Sequence, residues 1–382
     1  MIPISKPHIF PSSIKYILNV LNSKILTDGH FQKITESIIK RKLKSNFVAV
    51  THSCSAALEI SAILINLKPG DEVIIPSYGF VSIANAIIMR GAKPVFVEVN
   101  SKTLNICTQD IIKQINKKTK AIYIIHYAGN ACDMKELIKI KNKYKLYLIE
   151  DAAHSFLGKY NNKSLGTIGD IGVFSFHETK NFVAGQGGCI SINNKKLTSR
   201  ANYILDKGTN RIKFIKDFKK KIIESNKVKN FYSWVDIGSE YRASELSSAL
   251  LLAQLEKSSF IQKKRKIIWD KYKKIFNKID DKKVTLVKPI KNSKSSYNSL
   301  VLIFNELNVA NEFKKFLKKK GIAATFHYVP LHNSKMGKLY SKRKLPLTEN
   351  IYRKIVRLPL FSNMNESEFT KIKKSIENFF YK

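Results

Sequence analysis

Cysteine is scarce in this chain of 382 residues: Cys54, Cys107, Cys132 and Cys189 stand far apart, and no two form a Cys-x-x-Cys pair. A disulfide framework or a zinc site is therefore not expected, no metal is assigned, and a reducing compartment fits. Long apolar runs are missing as well. No stretch of about 18 apolar residues occurs, and Met1-Ile-Pro-Ile-Ser-Lys-Pro7 lacks the basic start and apolar core of a signal peptide. A soluble, cytoplasmic protein is the expectation. Acid is also in short supply, with 29 Asp and Glu against 68 Lys and Arg, a formal net charge of +39.

So basic a balance ordinarily raises nucleic acid or an anionic membrane as a partner. Its distribution argues otherwise. The excess is mostly Lys, spread with Ile and Asn along the chain, as at Lys213, Lys216, Lys219, Lys220 and Lys221 and again at Lys263, Lys264 and Lys266. No zinc-finger spacing, aromatic RNA-binding signature or basic region followed by heptads accompanies it. The charge reads as solvated faces with a mild attraction for anionic substrates, and neither nucleic acid nor membrane is expected as a partner.

What is present is a chain with 44% hydrophobic residues, long enough for one large core and a smaller second lobe. From about residue 46 to 190, short apolar runs alternate with helical patterns, the signature of βαβ units and a largely parallel sheet. The runs are 46–50, 72–75, 94–97, 121–125, 146–149 and 171–176, followed by the strand-like Cys189-Ile-Ser-Ile192. Helical spacing marks Ser55 to Leu67 and Ser82 to Arg90. A single long helical pattern runs from Ala243 through about Tyr272, and a strand-like run at 299–304 precedes terminal helices. A large domain over 1–250 and a small C-terminal domain over 251–382 are expected.

Ligands of open α/β sheets collect beyond the carboxyl ends of the strands. Four such ends carry suitable groups. In Thr51-His-Ser-Cys-Ser-Ala-Ala57, Ser53 or Ser55 can cap a helix whose free N–H groups make a phosphate cup, or simply cap it. Asp151 follows a buried strand and precedes small residues; it can meet a flat heterocycle edge on or cap the next helix. Lys180, in Ser175-Phe-His-Glu-Thr-Lys-Asn181, lies between apolar runs instead of in a charge run, and desolvation there would lower its pKa. Solvation, the state of most lysines, is its plain alternative. Pro76-Ser-Tyr-Gly-Phe80 offers an aromatic pair that can face a planar cofactor or fill the core.

In this order and spacing the four elements resemble the DegT-type sugar aminotransferases, a branch of the fold-type I pyridoxal-phosphate enzymes. The resemblance runs over nearly the whole chain and is carried by Phe174-Ser-Phe-His-Glu-Thr-Lys-Asn181, His126-Tyr-Ala-Gly129, Lys207-Gly-Thr-Asn-Arg211, Trp234-Val-Asp-Ile-Gly238, Phe326-His-Tyr-Val-Pro-Leu-His332 and Arg357-Leu-Pro-Leu-Phe361. It implies an α/β fold with a mostly parallel seven-stranded sheet and a smaller α+β domain. Carried over by position, Lys180 matches the lysine that holds pyridoxal 5'-phosphate covalently and shuttles the proton, and Asp151 matches the acid facing the ring nitrogen. His154 stands beside the cofactor's hydroxyl, Ser175 and the Cys54-Ser55-Ala56 turn match the phosphate site, and Phe80 covers the ring. His327 and His332 fall where relatives approach the nucleotide sugar, and each equally fits a structural histidine. A homodimer is implied, as is amino transfer from L-glutamate to a dTDP-linked 4-keto-6-deoxy sugar for surface polysaccharide synthesis.

Three positions depart from the family pattern: Gly79, Gln186 and Glu240. The last puts a carboxylate where relatives place an Asn that reaches the partner subunit's phosphate. Two other readings remain open, a 3-keto sugar aminotransferase and a non-catalytic binding homologue. A dehydratase of the same fold would have His where Lys180 stands.

Overall fold

The computed structural model describes residues 1–211 and 232–381. The lysines from 213 to 221 lie outside the described residues. Two short helices, α1 (Pro11–Ser23) and α2 (His30–Leu43), precede a seven-stranded sheet. Its strands are β1 (Phe47–Thr51), β2 (Glu72–Pro76), β3 (Lys93–Val97), β4 (Thr119–Ile125), β5 (Tyr147–Asp151), β6 (Ile171–Ser175) and β7 (Gly188–Ile192). They stand in the order β1-β7-β6-β5-β4-β2-β3, with only β7 antiparallel to its neighbours. Helices cover both faces, which is why the strands read as unbroken apolar runs. Among them are α3 (Cys54–Leu64), α4 (Ser82–Ile88), α5 (Thr108–Gln114), α6 (Met134–Tyr144) and α7 (Thr198–Leu205).

The carboxyl ends of β2, β4, β5 and β6 share one edge, and the amino end of α3 opens there too. Ser53 caps α3 by accepting the Ala56 N–H at 3.0 Å. Ser55 does not cap it; its hydroxyl lies 2.6 Å from that of Ser82 at the start of α4. Gly188 makes this corner possible. A Cβ there would sit 2.4 Å from Cys54 N and from Ser53 O, so the first residue of β7 presses against the α3 turn as no other residue could.

The long helical pattern after residue 243 forms two helices, α8 (Glu245–Glu256) and α9 (Ser258–Phe276), which break at Lys257. They serve different cores. Leu251 and Leu255 pack with Ile39, Val50 and Phe174, as does Ile261 at the start of α9. From Ile268 onward α9 packs into a second core with β8 (Val284–Leu286), β9 (Leu300–Phe304), α10 (Leu307–Lys319), β10 (Ile355–Leu358) and α11 (Glu366–Phe380). Thus the change of core falls inside α9, beyond residue 250. β8, β9 and β10 form an antiparallel sheet of three strands, with β9 central. The chain start joins this second core, since Ile2 is buried in it and exchanges backbone bonds with Gly321 and Ala323.

Candidate active site

Side chains alternate across a strand, so the consecutive acids at the end of β5 face opposite ways. Glu150 turns into the protein. It accepts from Gly166, Ile168 and Gly169 N–H groups and bonds the His126 ring at 2.9 Å, which satisfies it fully. Asp151 faces the strand-end cleft. It is buried, and no helix follows it; its Oδ1 accepts only the Ala153 N–H at 2.9 Å. Burial raises the Asp151 pKa, opposed by that N–H and by the charges of Lys180 and His126.

Lys180 lies in the turn between β6 and β7, its amide bonded to His177 O at 2.9 Å. The side chain is partly buried, and desolvation lowers its pKa to about 8. The field of Arg357 acts in the same direction, while Cys54 and Asp151 oppose it. Amine, acid and the α3 amino end therefore share one neighbourhood. At that helix end the Cys54 and Ser55 N–H groups lack helical acceptors, as first-turn amides must. Ser175 ends β6, with its hydroxyl accepting the His177 N–H at 3.4 Å.

The opposite wall is aromatic. The Tyr78 and Tyr127 rings stand 5.2 Å apart, and Tyr127 meets the edge of His154 at 6.1 Å. The Tyr328 ring lies 6.0 Å from both Tyr78 and Phe80. Tyr78 is a buried core aromatic, whereas Phe80 is 57% exposed and is the free ring of the pair. His154 is buried, its Nδ1 has no hydrogen-bond partner among the described residues, and burial followed by the charges of Lys180 and Arg357 holds its pKa well below normal. A neutral imidazole with an unmet nitrogen beside an amine whose pKa is lowered to about 8 suits a ligand with polar oxygens.

The segment that leads into β9 closes the site through a polar chain. Ser299 Oγ donates to Asn298 Oδ1 at 3.0 Å, and Asn298 Nδ2 donates to Asn181 Oδ1 at 3.0 Å. Asn181 Nδ2 in turn donates to Ser296 O at 2.7 Å, and Ser296 Oγ bonds His154 O. Gly129, at φ +90°, leaves room for Ser296 Oγ. These contacts hold the 295–299 segment against the residue that follows Lys180.

The two histidines carried over as sugar contacts part company here. His327 is at the cleft, half-buried against Arg357, its pKa lowered to about 3 by burial and then by that charge. His332 is not. It is buried, its Nδ1 lies 2.5 Å from Ser77 Oγ and its Nε2 2.9 Å from Glu349 Oε1, so both nitrogens are occupied and no valence is left for a sugar. Glu240 pairs with Lys207 and is exposed, and Gln186 is exposed on its turn. At Gly79 a Cβ would meet only the tip of Ile125. Sequence reasoning gave no role to Asn181, Ser299, Tyr328 or Arg357, although all but Ser299 fall within motifs it quoted.

The residues present fit pyridoxal phosphate: an amine poised near neutrality, a buried acid, unmet amides at a helix start, an orphaned imidazole nitrogen and an open aromatic ring. A profile of the DegT/DnrJ/EryC1/StrS aminotransferase family matches residues 8–377. A GDP-perosamine synthase of Escherichia coli O157:H7 is 29% identical, the match covering 99% of this chain and 98% of the relative. The structure of Helicobacter pylori PseC, an aminotransferase of pseudaminic acid biosynthesis, is 27% identical with a TM-score of 0.88 over 100% of this chain and 99% of that one. Streptoalloteichus hindustanus TlmJ, also an aminotransferase, has the same fold at 24% identity, with a TM-score of 0.90 over 100% and 99% of the two chains.

Proposed function

Since the chain belongs to the DegT/DnrJ/EryC1/StrS aminotransferase family, we propose that its cleft passes an amino group from L-glutamate to the keto carbon of a nucleotide-linked 4-keto-6-deoxy sugar. Sugar transamination with pyridoxal phosphate is the activity of this protein. The residue roles and the substrates are the proposal. Bound pyridoxal phosphate supplies an electron sink for the carbon that loses its proton.

Lys180 is the amine that would hold the cofactor and, when free, would move the proton at the donor's Cα. An amine of pKa about 8 can do both, because near neutral pH it exchanges a proton in either direction at little cost. Asp151, kept from water by burial, would face the ring nitrogen and favour its protonated form. Cys54, Ser55, Ala56 and Ser175 hold the phosphate at the α3 amino end, where unmet N–H groups and the helix dipole favour an anion. The exposed Phe80 would cover the ring, and the unmet Nδ1 of His154 would serve its hydroxyl. The observation that carries the reading is the depressed Lys180 amine beside Asp151.

For the acceptor, the motifs around His126 and Phe326 favour dTDP-4-oxo-6-deoxy-D-glucose, and the likeness to a GDP-perosamine synthase makes a GDP-linked sugar the competitor to test. A homodimer is supported by exposed Ile14, Leu18 and Leu21, an outward stripe on α1, and by exposed Trp234, Val235 and Ile237. Borohydride reduction of the holoenzyme followed by peptide mass mapping tests the core of the reading: the phosphopyridoxyl mass is expected on Lys180. Loss of the lysine-bound absorbance on adding L-glutamate, and then amination of one of the two keto sugars, completes it. Label on another lysine would refute the assignment.

A further inference from the structure

Lys180 stands where an exposed turn re-enters the protein. His177, Glu178 and Thr179 are exposed, Asn181 is 9% exposed, and Phe182 is buried with its ring 5.3 Å from that of Phe156. Little holds the amine itself. Its Nζ makes no hydrogen bond among the described residues, and a flexible four-carbon stem separates it from the backbone. Its direction therefore comes from where the chain is gripped, and the first side chain gripped beyond the turn is Asn181. A primary amide buried next to Phe182 is costly unless each end is met. Both ends are. Asn181 Oδ1 accepts from Asn298 Nδ2 at 3.0 Å, and its Nδ2 donates to Ser296 O at 2.7 Å.

The residues that meet it belong to a segment fixed on its far side. Arg265, on α9 and 3% exposed, donates Nε to Tyr297 O at 2.9 Å and Nη2 to Asn298 O at 2.7 Å. Ser296 N donates to Gly129 O at 3.1 Å, and Ser299 Oγ to Asn298 Oδ1 at 3.0 Å. An apolar contact tolerates sliding. An amide pair with both members buried and bonded at each end does not, because a shift of about an ångström breaks its bonds. The link therefore carries a fixed position from α9 to the residue beside the amine. The bond to the His154 carbonyl runs through Ser296 and is separate from it.

We propose that the Asn181–Asn298 amide pair aims the Lys180 side chain into the cleft, both being positioning residues that act through the amine and not on cofactor or donor. This rests on the reading of Lys180 as the amine that holds the cofactor and moves the proton. The aim matters most when the amine is free, because nothing else then fixes its end. Misalignment by about an ångström slows such a transfer by about 100-fold.

The test uses Asn298→Ala and Asn181→Ala in the full chain, with pyridoxal phosphate and pyridoxamine phosphate as paired probes. The first forms a bond with the lysine. The second, already an amine, does not, yet both fill the same seat. By absorbance titration of apoprotein, Asn298→Ala is expected to weaken pyridoxal phosphate by about 10-fold or more and pyridoxamine phosphate by less than about threefold. The single-turnover donor half-reaction with L-glutamate should slow by about 10- to 100-fold, with its half-saturating concentration little changed. Asn181→Ala, which removes the other half of the pair, carries the same comparison independently, and the two changes together should do no more than Asn181→Ala alone. In Lys180→Ala, methylamine in solution stands in for the missing amine, and adding Asn298→Ala there should leave the methylamine-dependent rate within about threefold. Equal weakening of the two cofactor forms, or a methylamine-dependent rate that falls with Asn298→Ala, would overturn the proposal by showing that the pair shapes the seat and not the aim. Unaltered affinities and rates in both single variants would overturn it too. Borohydride label on a lysine other than Lys180 would sink the underlying assignment instead.

Discussion

Lys180 has a pKa of about 8, against 10.5 for an ordinary lysine, because burial penalises its ammonium. At pH 7 about one molecule in eleven carries the free amine, against about one in three thousand at the ordinary value, a gain of about 300-fold in nucleophile. Apoprotein should therefore capture pyridoxal phosphate with a pH–rate midpoint near 8. The assay is borohydride trapping over a pH series, with the label mapped to Lys180 and Nα-acetyl-lysine as the reference amine. Two charge changes test the cause. Asp151→Asn removes a charge that favours the ammonium and should move the midpoint down, while Arg357→Gln removes one that disfavours it and should move the midpoint up. The same shift sets a stability slope. Between pH 8 and 10.5 the unfolded chain binds more protons at this site than the folded one, so apoprotein stability rises with pH across that window, by about 3 kcal/mol in all. Lys180→Met should remove that rise. A midpoint near 10.5, or both charge variants moving it the same way, would refute the reasoning.

Three other changes probe the scaffold. Gly188→Ala forces a methyl against the backbone of Ser53 and Cys54; it should cost about 1–3 kcal/mol by urea denaturation and loosen the cofactor, since the phosphate turn must move. Glu245→Ala strips the carboxylate that receives the N–H groups of Gly29, Phe31 and Gln32 at the start of α2. A loss of about 1–3 kcal/mol is expected, with the donor half-reaction unchanged in the folded protein. His332→Ala should likewise lower stability by about 1–3 kcal/mol, from the broken Ser77 and Glu349 bonds, and leave sugar affinity unaltered. A selective loss of sugar affinity in that variant would return His332 to the site.

The central sheet was legible because strands buried on both faces must be apolar throughout, and each run found a strand within a residue or two. Where a strand ends in polar residues the reading stopped short: β5 extends to Asp151 because Glu150, though charged, is satisfied inside the fold. The helix after residue 243 was read as one because periodicity reports that a face is buried and not which core buries it. Lys257 therefore left no mark, although it leaves helical geometry there and divides the two helices. The strand-end groups Asp151, Lys180 and Ser53 were legible from position alone. The links among Asn181, Asn298, Ser299 and Arg357 were not, since the Asn181–Asn298 pair is 117 positions apart and the Ser299–Arg357 pair 58, with no periodic signal between them.

What separates site from scaffold in this protein is how far each buried polar group is satisfied, and residue type alone would mislead. Glu150, Glu245 and His332 are buried and ionisable, yet all have their bonds inside the chain. Among the described residues, His154 has a nitrogen with no partner, Lys180 a charge that burial disfavours, and Arg357 a charge with no acid to meet it. Those three belong to different domains or loops, yet Lys180 and Arg357 each depress the His154 pKa, and Arg357 depresses that of Lys180. A fold that gathers like charge and leaves it unpaired loses stability by doing so. The loss is recovered when an anion occupies the cleft, so phosphate and carboxylate ligands should stabilise this protein more than neutral ones of the same size.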